Sequence, residues 1–170
     1  MEDLKQYIPA LKQGTAQVAT DEIQDDAIST AKIADDAITT AKISGGKIIA
    51  LKESFVLADF ADVTTTGTAE FATDLPIGAV VTQTLITGVE GFVGDTSATV
   101  TIGDGSDPDR YNTGTPSVFT TVANLSAGAV SGTAFQTAAK TPTIIVTTNA
   151  DFTSVTAGAM TVTIFYYIAA

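Results

Sequence analysis

The chain has 170 residues, with 19 acidic against 8 basic side chains, a formal charge of −11, and no Cys, His or Trp. That composition removes disulfides, thiol nucleophiles and histidine-based triads from consideration. With a single arginine among its cations it cannot build a basic face for nucleic-acid phosphates.

The first fourteen residues carry Leu4, Tyr7, Ile8 and Leu11 at helical spacing, an apolar stripe suited to a groove on a partner. Pro9 interrupts any helix running through it, so an extended or broken peptide is expected. The same residues also fit the start of the next segment, because Ile8 shares its phase. No basic, apolar and small-residue tripartite segment opens the chain, so no signal peptide is expected.

Residues 24–33 read Gln-Asp-Asp-Ala-Ile-Ser-Thr-Ala-Lys-Ile and residues 34–43 read Ala-Asp-Asp-Ala-Ile-Thr-Thr-Ala-Lys-Ile. Isoleucines therefore fall at 23, 28, 33, 38, 43 and 48, a period of five, with Val18 in phase. On an α-helix each step of five turns about 140° past a full circle, so these side chains would scatter round the cylinder. On a strand an odd step sends successive residues to opposite faces. The chain must bend within every repeat. Asp25, Asp26, Asp35 and Asp36 supply N-cap and first-turn acceptors, and each decad reads as a short helical turn followed by a break. Such short helices are marginal alone, so another chain has to bury the isoleucines.

These decads resemble the repeat of tailed-bacteriophage fibres, including head fibres whose three chains intertwine as short helix-turn-helix units. The resemblance covers residues 20–48 and implies a homotrimer with Val18, Ile23, Ile28, Ile33, Ile38, Ile43 and Ile48 on the threefold axis. With two full copies, the stalk is short.

From Lys52 onward the pattern changes to strands and turns. Ala98, Val100 and Ile102 alternate with Thr99 and Thr101, and Met160, Val162, Ile164, Tyr166 and Ile168 alternate with the residues between them. Period-two alternation predicts half-buried strands. Strands are expected at 55–60, 69–73, 79–87, 97–103, 118–123, 132–136, 143–148 and 160–168, with a turn at Thr65-Thr66-Gly67. Short strands at this spacing, without helical segments between them, predict an antiparallel β-sandwich of jelly-roll type. The longest apolar stretch, 157–170, is too short for a membrane helix and is broken by Thr161 and Thr163.

The loop Gly103-Asp104-Gly105-Ser106-Asp107-Pro108-Asp109-Arg110-Tyr111 gathers Asp104, Asp107 and Asp109, which as hard oxygen ligands are the candidates for a Ca²⁺ site. Their spacing departs from the EF-hand pattern, and Asp, Gly, Ser and Pro are equally what a solvated turn requires. A structural turn is the expectation, with Arg110 pairing one of the aspartates, and no metal or other cofactor. Acid–base catalysis would fall to paired carboxylates, and nothing in the sequence sets two of these across a cleft. No enzyme activity is expected.

Together these features predict a mainly β protein in three parts: an attachment segment over 1–19, a repeat stalk over 20–52 and a β-sandwich knob over 53–170. The resemblance implies a virion structural protein on the capsid surface, a trimeric head fibre or decoration protein. Its partners would be two further copies of itself and the major capsid protein, with neither nucleic acid nor membrane. The alternative is a tail-fibre or receptor-binding tip that recognises a host surface glycan.

Overall fold

The computed structural model describes residues 47–131 and 135–169. Its strands are β1 (Ile49–Val56), β2 (Ala61–Val63), β3 (Thr66–Glu70), β4 (Ala79–Val93), β5 (Ala98–Asp104), β6 (Val122–Ser126), β7 (Pro142–Thr148) and β8 (Ala157–Ile168). Single 3-10 turns lie at Leu57–Asp59 and Phe152–Ser154. The protein is mainly β, as expected.

Two four-stranded antiparallel sheets form, in the orders β1-β8-β4-β6 and β2-β3-β7-β5. Their inward residues meet in one core. Phe55, Ile86, Phe92, Met160, Val162 and Ile164 come from the first sheet, and Ala69, Val100, Ile102, Ile144 and Val146 from the second. Each fully buried Val, Ile or Phe contributes roughly 1.5–3 kcal/mol, so the alternation that places them inward is the main source of stability. Phe60 stacks edge-on to Phe92 at 5.4 Å, and Phe55 to Phe71 at 5.2 Å, filling one end of the sandwich. Phe152 caps that end. Its ring lies so close to Gly67 that an added methyl group would sit 2.1 Å from it, so any side chain there would have to displace the Phe152 ring.

The pairing follows one doubled-over ribbon: β1 with β8, β3 with β7, β4 with β6. The ribbon continues at the bridge between Thr99 of β5 and Ser117. Apart from the β2–β3 hairpin, every connection between successive strands crosses from one sheet to the other.

Several boundaries differ from the expected ones. β1 starts at Ile49, within the segment assigned to the stalk, and pairs over its whole length with β8, from Ile49–Tyr166 to Val56–Ala159. The expected 55–60 strand therefore stops early, at the 3-10 turn that Asp59 closes by accepting the Val56 N–H at 2.8 Å. The turn expected at 65–67 is the Thr64–Thr65 loop, where Thr64 adopts φ 55° and Thr66 and Gly67 already belong to β3. The strand expected at 118–123 forms at 122–126, since Val118 is drawn into the core by its N–H bond to the Ala98 carbonyl. At 132–136 the described residues show no strand, only a bridge from Phe135 to Val80. β4 runs on to Val93, with register shifts after Val81, Thr87 and Glu90.

Candidate functional site

The axis residues Val18, Ile23, Ile28, Ile33, Ile38 and Ile43, and the stripe Leu4, Tyr7, Ile8 and Leu11, lie outside the described residues. Ile48 is described: it directly precedes β1 and is 54% exposed. The loop from Asp104 to Asn112 is described throughout, and it is the place where charged and buried polar side chains converge.

The loop turns sharply because Asp104 organises it. Its backbone exchanges hydrogen bonds with Asp107, N–H to carbonyl in both directions at 2.9 and 3.2 Å. Oδ1 accepts from the Ser106 N–H at 2.9 Å, the Ser106 hydroxyl at 2.7 Å and the Asp107 N–H at 3.0 Å. Oδ2 faces Arg110 Nη1 at 3.6 Å and Lys140 Nζ at 4.0 Å. Burial alone pushes this carboxyl up; the Ser106 hydroxyl, the Ser106 and Asp107 N–H groups and the Lys140 charge outweigh burial and hold it below its ordinary value. Gly103 lets the loop fold back this closely, since a methyl group there would meet the Asp107 carbonyl at 2.0 Å.

Behind the loop, Tyr111 is fully buried. Its hydroxyl is pushed up to about 12, first by burial and then by the charge of Asp104; Arg110 and a hydrogen bond to Gln136 act in the opposite direction. The Tyr111 carbonyl accepts from the Thr84 hydroxyl at 3.0 Å, tying the loop to β4. Asn112, also buried, accepts the Ile102 N–H at 2.7 Å and donates to the Gly114 carbonyl. On the other side Arg110 donates through Nη2 to the Phe135 carbonyl at 3.4 Å, and Lys140 reaches the Ser106 hydroxyl at 3.4 Å. The loop, β4, β5 and the 135–140 segment are thereby held together.

This arrangement serves as a brace. A cation site requires carboxylate oxygens open to the metal, whereas the Asp104 oxygens already face three donors and two cationic side chains. Among the described residues no three carboxylates come together in a metal-holding group. Nor does the cluster suit proton transfer near neutrality: Asp104 is held ionised and Tyr111 protonated, each moved away from the operating range of a general acid or base. That Arg110 pairs one of the loop aspartates was expected from the sequence; that the partner is Asp104 was not. Tyr111, Asn112 and Gln136 were not, because a polar residue buried within a loop follows no period.

No protein-family model matches the sequence, and no curated protein matches it. Among solved structures, one described as the cyanophage Pam1 capsid asymmetric unit is similar over 74% of this chain and 88% of that chain, with 22% sequence identity and a TM-score of 0.49.

Proposed function

We propose that this chain is a virion structural protein of a tailed phage. Three copies join through the repeats, the sandwich is carried C-terminal to them, and residues 1–19 attach the assembly to the shell as a head fibre or decoration protein. The observation that carries this reading is the pair of near-identical decads at 24–43 with isoleucine at every fifth position. A self-repeat of that period buries nothing within one chain and calls for symmetric copies.

The sandwich is consistent with such a part. Its doubled ribbon, with strands alternating between two sheets, reads as a jelly roll in which one strand of the second sheet is reduced to the Ser117 bridge; that architecture recurs in viral capsid domains. The braced loop favours a non-catalytic role. Phe55, Phe60, Phe71, Phe92, Phe152 and Tyr111 are buried in the sandwich, so among the described residues a glycan-reading tip would have to use the partly open rings of Phe119, Phe135, Phe165, Tyr166 and Tyr167.

The experiment is to compare particles carrying the full protein with particles assembled with a chain lacking residues 2–19. On intact particles density is expected on the shell, and the shortened protein should stay folded and oligomeric but leave the particles bare. Density on the tail would shift the assignment to a receptor fibre, and wild-type occupancy by the shortened protein would move the attachment surface to the sandwich.

A further inference from the structure

Across one end of the first sheet runs an apolar row that the core does not use. Val80 of β4 lies opposite Tyr167 of β8 on one side and opposite Phe135 on the other. Residues directly opposite one another in antiparallel pairs share a face. That face is the outer one, because the neighbours Ala79 and Gln136 are buried on the inner side. Ile48 extends the row at the other edge, one step beyond the Ile49–Tyr166 pair and in phase with the outward residue Ala50. The next level adds Ala50 and Phe165. Ile48 is 54% and Phe135 39% exposed, and nearby Ile77 is 66% exposed. None of these residues is charged, in a chain whose net charge is −11.

We propose that the row Ile48–Tyr167–Val80–Phe135 is an interface between copies of this chain, continuing onto the sandwich the contact that the repeats begin. The inference rests on the self-association put forward above. Ile48 is the reason for choosing another copy as occupant: it is at once the last isoleucine of the five-residue series and the first member of the row. Elsewhere copies of so acidic a chain repel one another, and an uncharged apolar strip is where they can approach. Four side chains fall well below the roughly 1,000 Å² of a self-sufficient interface. The row therefore acts once the repeats have joined the chains and raised its effective concentration. Arg110 and the Gln136 backbone have a part in this, because they fix the segment that presents Phe135.

The test uses the full chain and three variants: Phe135→Glu, Tyr167→Glu and, on the outer face of the second sheet, Thr147→Glu. Guanidinium-induced loss of the oligomer is followed by sedimentation, with a β-sheet spectrum as the fold control. Phe135→Glu and Tyr167→Glu should each weaken association at least about tenfold, and Thr147→Glu should leave it unchanged. If all three match the unaltered chain, the row is not an interface. A monomeric unaltered chain overturns both this inference and the trimer. An oligomer of another copy number that the two row variants weaken retains the row and removes the threefold arrangement. Should Phe135→Glu fail to fold, Phe135→Ser, which only deletes apolar area, gives the same reading.

Discussion

Tyr111 and Asp104 bracket the pH range over which the loop holds the sandwich together. The Tyr111 hydroxyl is pushed up to about 12 from its ordinary value of 10.0. An unfolded chain thus releases this proton at lower pH than the folded one. Ionisation of this group leaves stability untouched below pH 10 and lowers it as pH rises toward 12, at the limit by about 3 kcal/mol. Tyr111→Phe should remove most of that alkaline loss in a series of denaturant melts between pH 9 and 12, while changing stability little at pH 7. Asp104 works in the opposite sense. Its carboxyl is depressed from 3.8, so its contribution is present above about pH 4 and disappears as pH falls through the folded value. Asp104→Asn should destabilise the protein at neutral pH, because Arg110 and Lys140 lose their counter-charge, and should flatten the acid limb of the same melts. A melt series whose acid slope is unaltered by Asp104→Asn would remove this carboxylate from the account. Residues of this kind are only half legible in sequence. The acidic loop announces a turn, but which carboxylate turns inward is decided by the β5 strand that ends at Asp104 and by donors that arrive from Lys140.

At the scale of elements, the strands that alternate cleanly were readable. β5 buries Ala98, Val100 and Ile102, β7 Ile144 and Val146, and β8 Met160, Val162 and Ile164 at alternate positions against the opposite sheet, and the sequence shows that alternation directly. The strands that break the rule were placed wrongly or cut short. β4 changes phase at each bulge, so its alternation fails after Thr87 although the strand continues. β6, Val-Ala-Asn-Leu-Ser, is a short edge strand with no fully buried residue. β1 was hidden because Ile48-Ile49-Ala50-Leu51 looks like the tail of the repeat; its strand character comes from β8, which offers Ile164 opposite Leu51. A chain over 53–170 should accordingly be less stable than one over 47–170. It loses the pairing of Ile49 to Lys52 and uncovers the β8 edge beside Thr163 to Tyr166. The deficit should be about 2 kcal/mol, on the order of two half-buried aliphatic side chains, Ile49 and Leu51, with a greater tendency to aggregate. Equal melting of the two chains would show that β1 is dispensable.

For the whole molecule, the expectation that the sequence supports most directly is association through the repeats. Ile33→Asp places carboxylates together in one apolar layer and should dissociate the oligomer, whereas Thr39→Ala, on a position expected to face water, should leave the measured mass at three chains. Retention of the full mass by Ile33→Asp would separate the five-residue period from assembly. The order of strands adds a temporal consequence. β8 sits in the middle of its sheet, between β1 and β4, and it is completed at residue 168. During synthesis β1 and β4 leave the ribosome long before the strand that joins them, and pairing over about a hundred residues is slow to close. The repeats emerge before the sandwich and, on the proposed self-association, need only neighbouring chains. If the repeats associate as proposed, nascent chains on one polysome can register with one another while each sandwich is still open, so that copy number is set before any sandwich has finished folding.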